Sequence, residues 1–173
     1  MPPGEQYFKK RDKEMEVREN EARRSNIRFN GNDIVLAAKM LDKLSNTIEI
    51  IYYLMDRGDE RSFVIMLISA ENIDVKELMN EQKRDTDILF EIDEASSLYA
   101  VICQDTKIDG GYHFAERVFG HMKSADAAEV YCTELEVRST THDIKFVIFK
   151  VLETFIQSKV DERCGEVIFK SLN

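Results

Sequence analysis

From position 63 to position 169 the chain sets down apolar segments of two different periods in a fixed order, and that order limits the folds open to it. Residues 63–68 are a continuous apolar run, as a strand buried on both faces requires. Residues 72–83 carry Val75, Leu78 and Met79 at helical spacing, and 87–92 alternate, with Ile88, Phe90 and Ile92 on one side. A second continuous run covers 98–103. Residues 109–123 then place Phe114, Ala115, Val118, Phe119 and Met122 on one helical stripe. The strand predicted over 130–138 shifts its alternation between Cys132 and Leu135, which predicts a bulge there. Over 143–160, Ile144, Val147, Ile148, Val151, Leu152, Phe155 and Ile156 follow the i, i+3, i+4, i+7 pattern, and after Gly165 a last strand falls at 167–169.

Strand, helix, strand, strand, helix, strand is the split βαββαβ arrangement of ferredoxin-like folds, and one more helix and strand extend it. The expectation is an α+β, ferredoxin-like domain with a five-stranded, mainly antiparallel sheet, the first two helices packed on one face. A helix precedes this core. After the turn signal Asn30-Gly31-Asn32, Asp33 can cap a helix carrying Leu36, Met40, Leu41, Leu44, Ile48, Ile51 and Leu54, with Ser45-Asn46-Thr47 as a candidate interruption. Residues 5–28 are dominated by charge, so a helix there has no broad face to bury. We therefore divide the chain into a charged N-terminal helical arm, 1–30, and a folded domain, 31–173. A coiled-coil tail is the alternative for the arm, and it would allow a homodimer through the N-terminal helices.

The 173 residues suffice for one domain with a sizeable core, and 43% hydrophobic with 33% charged residues is the composition of a soluble globular protein. No run approaches the ~18 apolar residues of a membrane span, and the N-terminus lacks the apolar core of a signal peptide, so a cytoplasmic location without membrane insertion is expected. Net charge is −9; the first thirty residues hold +2 and the remainder −11, which argues against nucleic acid as a partner. Cys103, Cys132 and Cys164 are odd in number, widely spaced and next to apolar strand patterns, the mark of buried thiols rather than disulfides or zinc ligands. His113, His121 and His142 have no zinc spacing with any of them. Tyr52, Tyr53, Phe146, Phe149 and Phe155 read as core, and Gly110-Gly111 as a turn at a helix start.

Asp87-Ile88-Leu89-Phe90-Glu91-Ile92, then Tyr99-Ala100-Val101-Ile102, Asp105-Thr106 and Phe114-Ala115-Glu116-Arg117-Val118, in this order, resemble the diguanylate cyclase catalytic domain of the GGDEF family, over about residues 33 to 172. In that family the turn between the two strands reads Gly-Gly-Asp/Glu-Glu-Phe. Its glycines let the backbone approach a guanine nucleotide, and its acids hold divalent metal on the triphosphate. Here the turn is Asp93-Glu94-Ala95-Ser96-Ser97-Leu98, two residues longer and without glycine. The family's second metal-bearing segment begins Asp-x-Asp after the first core strand. Here that stretch is Leu67-Ile68-Ser69-Ala70-Glu71-Asn72, in which Glu71 alone can offer a carboxylate.

The resemblance therefore implies a degenerate GGDEF domain: no catalytic residues, no metal, no cofactor, and no enzyme activity. A fold outlives its chemistry when its surface keeps a partner. This implies a signalling or scaffolding module, in a bacterial setting, that acts through protein-protein contacts, with the arm and the helix from Asp33 as docking surfaces. One family motif remains. Arg84-Asp85-Thr86-Asp87 lies five residues before the altered turn, the register of the family's Arg-x-x-Asp product-inhibition site, which makes Arg84 and Asp87 candidate ligands of cyclic di-GMP. The plain alternative is a solvated surface salt bridge. A third reading is an enzyme of altered nucleotide chemistry that recruits Asp93, Glu94 and Glu71.

Overall fold

The computed structural model of the protein describes residues 28–173, so the expected arm and any dimer built on it lie outside the described residues but for positions 28–30. The unit described below runs Asp33–Asn173, with two further residues at the start of its first helix. That helix, α1, is Gly31–Asp56. It is not broken at Ser45-Asn46-Thr47: the helix runs through, and the Ser45 hydroxyl shares the Leu41 carbonyl, four residues back, at 2.5 Å. It ends where Gly58 takes φ 84° and the amides of Gly58 and Asp59 return to Met55 and Leu54 at 3.0 and 2.9 Å.

There follow β1 (Phe63–Glu71), α2 (Val75–Gln82), β2 (Asp87–Asp93), β3 (Leu98–Gln104), α3 (Ile108–Ser124), β4 (Ala128–Val137), α4 (Ile144–Val160) and β5 (Val167–Leu172). The expected order of elements is present throughout. Asp74 and Asp143 cap α2 and α4, accepting from the amides of Glu77 and Lys145 at 3.0 and 2.8 Å. The five strands form one sheet in the order β2-β3-β1-β4-β5. β1 is antiparallel to β3 and β4, β2 is antiparallel to β3, and β5 joins β4 in parallel across α4.

Central β1 is buried on both faces, which is why its sequence is continuous rather than alternating. Val64, Met66 and Ile68 face Val75 and Met79 of α2 and Phe114, Ala115, Val118 and Met122 of α3. Phe63, Ile65 and Leu67 point the other way. There α4 packs on β1 and β4, and Tyr52 of α1 meets the Phe63 ring edge-on at 6.0 Å. The helix pair of the ferredoxin-like core thus lies on one face, and the added helices cover the second.

Four expectations need correction. The register of β4 against β1 is unbroken from Tyr131 to Val137, so no bulge lies between Cys132 and Leu135. The irregularity falls earlier, between Ser69 and Glu71, where Glu129 takes φ 49°. The alternation looked shifted because Glu134 and Glu136 occupy core-facing positions, paired with Met66 and Val64. Cys164 is exposed in the turn before β5 rather than buried, while Cys103 and Cys132 are buried as expected. Tyr53, Phe146 and Phe149 lie exposed on the outer sides of α1 and α4, whereas Phe155 is core. Gly110 and Gly111 lie within α3, and Gly111 is buried against Glu134. Among the described residues no helix is long and apolar enough to cross a membrane.

Candidate functional site

The β2–β3 hairpin carries one candidate region at each end. At the turn, Asp93 and Leu98 are still paired, after a register shift between Glu91 and Asp93, and residues 94–97 cross between them. Without glycine, the turn places Ser97 in the left-handed region at φ 49° and closes with the Ser97 amide on the Glu94 carbonyl at 3.1 Å. Asp93 organises it. One carboxylate oxygen accepts from the Ser96 hydroxyl at 2.6 Å and the Ser96 amide at 3.3 Å, and the other pairs with Lys39 of α1 at 3.0 Å. Hydrogen bonds from Ser96 and then Lys39 hold the Asp93 carboxyl below its ordinary range. Lys43, one turn further along α1, donates to the Glu91 carbonyl. The two lysines, Glu91 and residues 92–95 line an open hollow of about 640 Å³.

Glu71 at the end of β1 reaches the same rim. It lines a cleft of about 290 Å³ together with Ser96 of the turn, Glu129, Tyr131 and Lys159. The two segments that would share a metal in an active cyclase are therefore brought together. Into this cleft, however, α4 sends Lys159, whose ammonium lies 5.6 Å from the Tyr131 ring centre and 5.0 Å from that of Phe155. A cation lining the same cleft as Glu71 and Glu129 opposes a divalent ion there. Among the described residues no three His, Cys, Asp or Glu side chains are grouped so as to hold a metal. Asn72, Ser97 and Glu129, all non-glycine residues with positive φ, belong to the three chain segments of this rim.

The opposite end of the hairpin holds Arg84 and Asp87. The guanidinium grips the carboxylate through Nη2 at 2.8 Å and Nε at 3.1 Å, and the Arg84 amide donates to the second oxygen at 2.8 Å. Nη2 also reaches the Thr106 hydroxyl at 2.7 Å and the Gln104 carbonyl at 3.1 Å. Asp87 is 3% exposed, while the Arg84 side chain is half exposed. This is no solvated bridge: the carboxylate is buried and both of its oxygens are engaged. The hydrogen bond it donates to Asp87 raises the Arg84 guanidinium further, against the opposing effect of burial. Burial, with Asp87 nearby, pushes the Cys103 thiol up.

Beside this pair lies a notch of about 110 Å³, walled by Arg84, Thr106, Gly110, His113, Phe114 and Arg117. Arg117 is held over the Phe114 ring at 5.3 Å and donates to the Gln82 carbonyl at 2.9 Å. The structure thus adds Arg117 and His113 to the predicted Arg84 and Asp87. The sequence signal for Arg117 was its place one turn beyond Phe114 on α3; nothing local to it pointed at Arg84, thirty-three residues away.

No family model and no curated protein matches this sequence. Solved structures do. The diguanylate cyclase SiaD from Pseudomonas aeruginosa, solved in complex with its activator SiaC, is similar over 96% of this chain and 75% of its own, with 12% identity and a TM-score of 0.53. A diguanylate cyclase/phosphodiesterase from Caldicellulosiruptor saccharolyticus covers 71% of this chain and 86% of its own at 13% identity, with a TM-score of 0.45. The SiaD likeness shows the fold: this chain has the architecture of a diguanylate cyclase domain.

Proposed function

We propose that this chain is a catalytically inactive diguanylate cyclase-like module that acts through protein contacts. The observation that carries this reading is the internal use of the turn's acid. Asp93 is bound by Lys39 and Ser96, and Lys159 lies in the cleft with Glu71. Metal-assisted attack on a nucleoside triphosphate needs carboxylates free to bind a cation and a backbone that a phosphate can approach. The side chains of 93–97 and the lysine in the cleft work against both. That SiaD was solved with a protein activator supports contact with a partner as a use for this fold. Incubation with GTP and magnesium or manganese is expected to give no nucleotide product. A product that disappears in Asp93→Ala would overturn the reading in favour of an enzyme that recruits Asp93, Glu94 and Glu71. Purification from the native cell is expected to recover the chain in a complex; recovery of the chain alone and monomeric counts against it.

A second reading is favoured by one observation, the two arginines beside the notch. Cyclic di-GMP would meet the exposed part of Arg84 and the guanidinium of Arg117, with His113 at the edge. Asp87 would have to release Arg84 before accepting from a guanine base, so the arginines carry more of this reading than the acid does. Calorimetric titration of the native chain against Arg84→Ala and Arg117→Ala tests it. No heat from the native chain at high ligand concentration rejects it.

A further inference from the structure

Strand β4 turns two carboxyls into the core beneath the start of α3, and they are treated very differently. Glu136 is fully buried and fully engaged: it accepts from the Ile108 amide at the head of α3 and from Ser171 at 3.2 Å, and pairs with Arg138 at 2.5 Å. Glu134, two residues earlier on the same face, is 1% exposed, and neither of its oxygens has a hydrogen-bond partner. Its carboxyl lies directly against Gly111, so close that a Cβ there would overlap it. The glycine is what lets α3 close over the acid.

The elements around Glu134 bring no cation to it. Its cross-strand partners are Met66 of β1 and Phe169 of β5. The ionisable groups on this face of the sheet are Cys132 and Glu136 of β4, Cys103 and Tyr99 of β3, and Glu91 and Asp87 of β2, the last already bound to Arg84. From α3 come Lys107 at its cap and Asp109 in its first turn, both exposed to solvent, and Tyr112, whose ring lies 5.4 Å from that of Phe169; Arg138 is taken by Glu136. An ionised carboxylate in such a place has desolvation to oppose it and no hydrogen bond or opposite charge to offset that.

We propose that Glu134 is a pH-sensitive latch for helix α3: as a neutral acid it lets α3 close on the sheet, and its ionisation loosens the first turns of the helix. Burial pushes the carboxyl up to about 8 from an ordinary value of 4.5. A folded-state value above the unfolded one means that the stability it contributes is complete below about 4.5, declines as pH rises, and is lost above about 8. Within that window the folded-to-unfolded ratio falls by up to about tenfold per pH unit. The turns that loosen carry Gly110, His113, Phe114 and Arg117, one wall of the Arg84 notch, so the latch sets the shape of that wall whatever the notch binds.

The test is urea unfolding of the full chain and of Glu134→Gln from about pH 5 to about pH 9, with hydrogen exchange read at the amides of 108–115. The native chain should lose stability toward high pH relative to the Gln variant, and those amides should open more with pH than the amides of β1, beyond the intrinsic change in exchange. Parallel profiles for the two proteins, or opening spread evenly over the molecule, overturn the proposal. Should the Gln variant fail to fold, infrared spectroscopy of the native chain decides. The carbonyl band of an un-ionised carboxylic acid must be present at neutral pH and fade near pH 8, and its absence at neutral pH is equally fatal.

Discussion

Asp87 and Glu134 are both carboxyls buried on the α2/α3 face of one sheet, and they are kept there by opposite means. Asp87 is charged and has its counter-ion built in, three residues away: Arg84 supplies both guanidinium and amide bonds. Glu134 has neither partner nor charge nearby to hold it ionised, and burial moves its proton affinity instead. The difference follows from position. Asp87 opens an edge strand next to a loop from which a long side chain can fold back, whereas Glu134 is in mid-strand between β1 and β5 with a helix overhead. A buried charge is affordable at the rim of a sheet and a buried neutral acid is what the middle permits.

The largest test of this contrast is Arg84→Ala. It leaves Asp87 buried with its amide bond from residue 84 but without the guanidinium, and a loss of about 3–5 kcal/mol in urea unfolding at neutral pH is expected. Glu134→Gln at the same pH should fall well short of that and can even stabilise, since Gln removes the pull toward the unfolded chain that ionisation of Glu134 exerts between about 4.5 and about 8. Equal losses in the two variants would erase the distinction between them. Next in size is Gly111→Ala. Its methyl group must displace the Glu134 carboxyl and press on Val64, 3.3 Å from the added carbon, for an expected cost of about 1–3 kcal/mol. In the double variant with Glu134→Ala that cost should shrink, a non-additivity that identifies the carboxyl as the group displaced.

The same contrast marks what a reader of the sequence can and cannot find. The element order was legible because period 3.6 and continuous apolar runs report burial directly, as in 63–68 and 144–156. Arg84 and Asp87 were singled out by the family's Arg-x-x-Asp register, and their pairing was legible because the partners are three residues apart. Glu134 and Glu136 were not: an acid at a core-facing position looks like a break in alternation, and only the unbroken pairing of Tyr131 to Val137 shows that the strand runs straight through it. Arg117 was missed for a tertiary reason, since its neighbourhood with Gln82 and Arg84 exists only once α3 has crossed back over the sheet beside α2. At the turn, the sequence showed the loss of glycine and the presence of Asp93 but not Lys39 and Lys43, which arrive from a helix some fifty residues earlier.

Asp93 completes the series as a carboxyl that is partnered but open to solvent, and it carries the smallest expected effect. Its folded-state value lies below the ordinary 3.8, so the stability it contributes is present above that value and is lost as pH falls through the lower, folded one. Its side chain is about a quarter exposed, and the ion pair with Lys39 is screened by water and salt. Asp93→Asn should therefore lower stability by only a few tenths of a kcal/mol at neutral pH, an effect that shrinks in high salt and vanishes in acid well below 3.8. Asn can still accept from Ser96, so most of what is lost is the ion pair with Lys39. A loss as large as that of Arg84→Ala would mean that the turn behaves like the buried corner, and that its acid holds the fold together instead of merely closing a loop.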